Sequence, residues 1–369
     1  FRSKLFNANC DEPVDLGQGK SAELARRRGP GGVYLEHVRR VQELARAHGK
    51  RTLIWGDVVH AHPERIPELD RDLILLDWWY EADHDFDRVR TFADHGIEFL
   101  VCPGTSSWNA LFPRIENSLA NIAGYAAAGK RHGARGLITT DWGDGGHYNL
   151  LGNSWLVFAW GAQQAWAGNA PGDVFDRAFS RLLFGDPSGK VARAYRALGR
   201  AHDAGFEIPN ASPLQSLYFD DLSRPRFTPR SRVRPLQRTL TRLRRLREEL
   251  AGMRALFRRE ALTHEELLLA ADASILAAEK GLAGLEYLGW CGGERLSAPA
   301  RRRLSRSLAR LASEQSSLGR ILHRLWLARN LPSNFEITKT RLDRSVRSLR
   351  RTAKQLERND PARLLSGHE

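Results

Sequence analysis

Leu5-Phe6-Asn7-Ala8-Asn9-Cys10-Asp11-Glu12 decides how this chain is read. The run is mostly apolar, carries Asn7 and Asn9 on one alternating face, and ends in two adjacent carboxylates. Residues 4–10 therefore read as a core strand with an acidic pair at its rim. Working outward, the same pattern recurs. Strands are predicted at 52–55, 73–78, 97–101 and 136–140. Between them fall helices at 34–48, where Val38, Val41, Leu44 and Ala45 keep helical spacing, at 86–95 closed by Gly96, at 115–132 ended by Gly133, and at 151–166. Strands alternating with helices imply parallel pairing. The strands end in Asp11-Glu12, Trp55-Gly56-Asp57, Trp78-Trp79-Tyr80, Cys102-Pro103 and Asp141-Trp142. A β/α barrel gathers such ends around one pocket. A doubly wound sheet would favour a single Gly-rich loop, and Gly17-Gln18-Gly19 lacks that pattern. The expected fold is thus a partial TIM-type β/α barrel over residues 1–170.

After residue 170 the character changes, and residues 171–369 are expected to form an all-α domain. Helices are predicted at 174–184 and 191–203, and residues 205–231, rich in Pro, Ser and Asp, read as a long connection. Val233, Leu236, Leu240, Leu243, Leu246 and Leu250 form one apolar stripe. Leu267, Ala271, Leu282, Leu285 and Leu288 form a second, and Leu304, Leu308, Leu311, Leu318, Ile321 and Leu325 a third. These read as core-facing faces of antiparallel helices.

The chain has 369 residues and a net charge of +14. The first 170 residues are close to balanced, so nearly all of the excess lies in the helical part. That excess reads as an arginine-rich solvated face, with a non-catalytic basic helical module that binds nucleic acid or a partner chain as the alternative; no aromatic residues interleave the arginines as a base-stacking platform would require. Cys10, Cys102 and Cys291 are odd in number and widely spaced, which excludes a disulfide framework and a zinc ribbon and fits a reducing, cytoplasmic setting. No apolar run is long enough for a transmembrane helix. The chain starts at Phe1 with no leader and reads as part of a longer protein.

Asp11 and Glu12 are the candidate catalytic residues. Adjacent carboxyls repel when both ionise, so one stays protonated to higher pH, as a general acid must. Trp55, Trp78, Trp79, Trp108 and Trp142 fall at strand ends or just after them, where indole rings can cover the apolar faces of sugars. Asp141, Asp144 and His147 lie beside Trp142 and can bind hydroxyls. His60 and His62 form an HxH pair, which opens the alternative of a metal-dependent hydrolase on the same barrel.

Asn9-Cys10-Asp11-Glu12-Pro13-Val14-Asp15-Leu16-Gly17-Gln18-Gly19 resembles the acid/base motif of glycoside hydrolase family 20, in its bacterial and cytosolic hexosaminidase branch. Val101-Cys102-Pro103-Gly104-Thr105-Ser106-Ser107-Trp108-Asn109 and Thr140-Asp141-Trp142-Gly143-Asp144-Gly145-Gly146-His147 are similar to that branch as well. The resemblance covers about residues 4–170 and extends more faintly to 325–330. It implies an exo-β-N-acetylhexosaminidase acting with retention on terminal β-linked N-acetylglucosamine or N-acetylgalactosamine of a glycan or glycoconjugate. No metal or organic cofactor is implied. Glu12 would protonate the leaving oxygen and then activate water, while Asp11 would orient the substrate's own 2-acetamido group as nucleophile. Trp55, Trp78 and Trp142 would wall the sugar pocket, with Trp108 a further substrate-binding candidate at the rim; Asp144 would bind the outer hydroxyls, and Tyr80 would supply the hydroxyl that family members carry on their seventh strand. The same alignment would make the visible strands four to eight of the barrel. It thus implies an open sheet, a pocket lacking one wall and little activity from this chain alone.

Overall fold

The computed structural model describes residues 2–146, 148–168 and 172–359. The chain divides into two compact units. The first comprises Phe1–Gly104, Ser118–Thr140 and Trp160–Asn169; the second comprises Thr105–Asn117, Asp141–Ala159 and Ala170–Glu369.

The first unit is built on four parallel strands, β1 (Leu5–Asn7), β2 (Arg51–Trp55), β3 (Ile74–Trp78) and β4 (Glu98–Cys102), hydrogen-bonded in sequence order. Ile54 pairs in register with Leu75, and Leu75 with Phe99, so these three side chains share a face. They pack with Val101 against α1 (Ala22–Ala47), α2 (Asp57–Ala61) and α3 (Arg90–Asp94), burying Tyr34, Leu35, Val38, Val58, Val59 and Phe92. At about 25 cal/mol per Å² of apolar surface, this face supplies the main drive for the unit to fold. Helix α1 starts before the predicted 34–48 and is broken at Gly29 (φ 73°), with Pro30 opening its longer second part. Two further helices, α4 (Ile115–His132) and α5 (Trp155–Trp166), are shared in sequence between the two units. Gly96 and Gly133 end their segments with positive φ, as the sequence predicted.

Of the expected partial barrel this sheet shows the open, parallel arrangement with one strand fewer, and it does not establish a barrel. It holds four strands and remains open, with β1 at one edge and Leu5 and Phe6 exposed there. Residues 136–140 follow β4 but make only isolated parallel bridges, Val101 to Leu137 and Gly104 to Thr140. The reason lies between those bridges. Pro103 accepts from the Thr140 N–H at 2.8 Å but has no N–H to return, so the ladder is interrupted.

The second unit is helical. It contains α6 (Gly172–Phe179), α7 (Lys190–Gly199), α8 (Pro213–Phe219) and four long helices, α9 (Val233–Ala251), α10 (Ala261–Cys291), α11 (Ala298–Arg329) and α12 (Phe335–Arg358). The α9 stripe is buried from Leu236 to Leu250. Residues 205–231 are more than a connection: α8 buries Leu214, Leu217 and Tyr218 against α10. Two stripes shift by a residue or two. On α10 the fully buried positions are Gly281, Ala283, Gly284 and Tyr287 rather than Leu282, Leu285 and Leu288. On α11 Leu322 is buried and Ile321 faces out. Small residues on α10 let α8 and α9 approach closely: a Cβ on Gly281 would meet the Leu236 and Leu217 side chains at 3.0 and 3.1 Å. Among the described residues no helix is long and apolar enough to cross a membrane.

Candidate active site

Parallel strands put all their carboxyl ends on one edge of the sheet, and in the first unit that edge carries the acidic pair. The chain leaves β1 through a turn in which Asn9 (φ 61°), Cys10 (φ 64°) and Glu12 (φ 45°) all occupy the left-handed region. Asn tolerates this conformation; Cys and Glu do so at a cost of about 1–3 kcal/mol each. Such a turn persists only when its surroundings hold it, and four bonds do so. The Asn9 carbonyl accepts from the Trp55 backbone N–H at 2.9 Å, and the Asn9 side-chain oxygen accepts from the Trp55 indole N–H at 3.3 Å. The Tyr34 hydroxyl donates to the Cys10 carbonyl at 3.0 Å, and the Glu12 N–H donates to Asp57 Oδ2 at 2.9 Å. The result leaves Asp11 half-buried and Glu12 exposed.

The aromatic residues at this edge divide by burial. Trp55 is 5% exposed, so its ring is spent on packing and on holding Asn9. Trp78 is half-buried and stacks on the buried Tyr80, with centroids 5.2 Å apart and planes at 22°. Trp79 is more exposed and stacks on His84 at 4.5 Å. Shielded polar atoms here without a hydrogen-bond partner among the described residues include the Trp78 indole Nε1, His84 Nε2 and Asp57 Oδ1. A donor and an acceptor left open on neighbouring strand ends are costly unless a polar ligand or water completes them.

Behind the edge lies a group that the sequence reading missed. Asp77 on β3 is fully buried; it meets His60 Nε2 at 2.7 Å and the Arg88 guanidinium at 2.9 Å. Burial would raise its pKa, but the His60 hydrogen bond and the Arg88 charge outweigh this and hold the carboxyl below its usual range. Arg88 also donates to the Trp78 carbonyl at 2.7 Å, which fixes the end of β3. A single acid inside Ile74-Leu75-Leu76-Asp77-Trp78 was the available signal, since a charge in a core strand needs a partner. The same geometry dissolves the HxH pair. His60 is turned toward Asp77 and Phe92, whereas His62 Nδ1 lies 3.6 Å from Glu64. Among the described residues no group of three or more metal-binding side chains converges.

Trp108, Trp142 and Asp144 belong to the second unit. Trp108 is 3% exposed, with its indole donating to Asn210 at 3.1 Å. Trp142 is half-buried and Asp144 exposed. Asp141 accepts from Thr105 Oγ1 at 2.9 Å and from Ser107. His147 lies outside the described residues.

No family model matches the chain, and no curated protein matches it. Among solved structures it is similar to a GH138 enzyme targeting pectin rhamnogalacturonan II, at 9% identity and a TM-score of 0.41. The match covers 86% of this chain and 55% of that one, so the chain spans about half of that structure's length. The likeness is too distant to assign a fold or an activity. The resemblance to glycoside hydrolase family 20 is corrected by the first of these findings: no family model, that family's included, matches the chain. Short runs of Asp, Trp and Gly recur at the carboxyl edges of parallel sheets for turn and rim reasons, and such runs alone do not define a family. The strand numbering and the missing wall inferred from that resemblance fall with it.

Proposed function

We propose that this chain is a carbohydrate-acting hydrolase whose reacting carboxylates are Asp11 and Glu12. One observation carries the reading: the acidic pair sits on a strained turn that four hydrogen bonds hold in place. Strain of this kind is kept where geometry matters to chemistry.

The pair also favours one form of glycoside cleavage. Most glycosidases place their two carboxyls on separate elements flanking the scissile bond. Consecutive residues approach a sugar from one side, so the second carboxylate serves best by acting on the substrate's own nucleophile. The finer proposal is an exo-β-N-acetylhexosaminidase. Exposed Glu12 protonates the leaving oxygen and then takes a proton from water. Half-buried Asp11 accepts the acetamido N–H and stabilises the charge that develops as the acetamido oxygen attacks the anomeric carbon. Holding that internal nucleophile in place lowers the barrier by up to roughly 7–11 kcal/mol. Trp78, half-buried at the same carboxyl edge of the sheet and backed by the buried Tyr80, supplies an aromatic ring for the sugar face.

Binding of a stable thiazoline analogue of the cyclised intermediate tests this. Calorimetry should show tight binding that Asp11→Asn weakens at least about tenfold, or by about 1.4 kcal/mol. Equal binding by the variant would remove Asp11 from the site.

A further inference from the structure

The helical unit carries an unneutralised basic face. Helices α11 and α12 run antiparallel: Ser305 donates to the Ala353 carbonyl and to Glu357, each at 3.0 Å, and Gly319 lies beside Leu342. On the solvent side of this pair stand Arg302 and Arg306 from α11, and Arg347, Arg350, Lys354 and Arg358 from α12. Spacings of three and four residues keep them on one face. All six are exposed, and none has a carboxylate partner among the described residues. Other arginines of the two helices are neutralised: Arg303 by Glu286, Arg310 by Glu279 and, within the face itself, Arg351 by Asp221. The face also holds one exposed acid of α12, Glu357, which accepts from Ser305.

We propose that this face binds an acidic polysaccharide, a partner that rests on the reading of the chain as a carbohydrate-acting hydrolase. The charges run about 16 Å along α12, enough for a short stretch of a linear polyanion. Arginine forks match carboxylate and sulfate groups two bonds at a time. The face carries no aromatic ring on which a nucleobase could stack. It exposes no large apolar side chain that could enter a bilayer. What it offers is charge and hydrogen bonds, which an acidic glycan takes without either.

The test uses a heparin dodecasaccharide, a neutral dextran of similar length and a DNA duplex, titrated at two salt concentrations. The expected result is heparin binding that weakens about 100-fold between about 50 and about 200 mM salt, with no dextran binding and weaker duplex binding. The variant R306E/R350E/K354E should lose heparin binding at least tenfold, while R234E/R242E/R254E, an equal charge change on and after α9, should keep it. Circular dichroism checks that both variants fold. Duplex binding as tight as heparin binding, equal losses in the two variants, or no heparin binding at low salt would each overturn the proposal. Turnover of a small neutral aryl glycoside with a poor leaving group is measured beside it. Turnover without heparin binding sinks this proposal alone, whereas heparin binding with turnover that survives Glu12→Gln sinks the catalytic reading alone.

Discussion

The carboxylate of Asp57 accepts the backbone N–H of Glu12 across 2.9 Å, so the first residue of α2 fixes the last residue of the turn after β1. The link joins neighbouring strands at their carboxyl ends and holds a glutamate whose φ is 45°. Asp57→Ala removes the acceptor, whereas Asp57→Asn keeps an oxygen in its place. Turnover should fall about 100-fold in the first, as expected for a misplacement of about 1 Å, and only a few-fold in the second. Hydrogen exchange at the Glu12 amide should follow the same order. Equal losses in the two variants would show that Asp57 does not act through Glu12.

The two carboxylates should fail differently. Glu12→Gln should lose most on substrates with poor leaving groups, which need protonation. Asp11→Asn should lose on activated aryl leaving groups as well, because it acts on the nucleophile. Steady-state kinetics over a series of aryl leaving groups measures both slopes. Identical slopes would contradict the division of labour.

Asp77 should matter to stability. Asp77→Ala leaves Arg88 largely buried without its carboxylate, a change that costs about 3–5 kcal/mol in denaturant unfolding. Removing both, as in D77A/R88M, should cost clearly less than the sum of the two single changes. A loss below about 1 kcal/mol for Asp77→Ala would place the network among surface ion pairs.

Lys280 predicts an unusual pH dependence. It is buried in the helical unit, donating to the Tyr218 carbonyl at 2.9 Å and to Ser345 at 2.8 Å. Burial lowers its pKa from 10.5 to about 7, against the opposing pull of Asp220 and Asp221. The unfolded chain then holds more protons than the folded one between about pH 7 and about 10.5. Its contribution to stability therefore rises with pH through that window and is flat below it. Urea unfolding from about pH 6 to about pH 9.5 should show a gain of order a few kcal/mol, which Lys280→Met abolishes. An unchanged slope in the variant would contradict this.

Much of the fold was legible because period and punctuation agreed. The strands at 52–55, 73–78 and 97–101 and the helix at 115–132 follow from apolar runs bounded by Gly96 and Gly133. The fifth strand was not, because Pro103 interrupts the ladder from the neighbouring strand, and a sequence pattern does not report what a partner lacks. Helix α8 hid in a Pro- and Ser-rich stretch whose burial depends on small residues far along α10. At the site, Asp11 and Glu12 stood out as an acidic pair after an apolar run. The roles of Asn9, Tyr34 and Asp57 did not, because their part is to hold backbone atoms, and that depends on a turn geometry visible only in three dimensions. Trp108 shows the converse: a strand-end position resembled a rim, and packing buried it.

The most direct test of the central claim compares an aryl 2-acetamido-2-deoxy-β-glucoside with the plain aryl β-glucoside, using the protein and its Glu12→Gln variant. The account predicts turnover of the acetamido substrate, little or none of the plain glucoside, and loss of the former in the variant for poor leaving groups. Equal rates on the two substrates, or a rate untouched by Glu12→Gln, would contradict it.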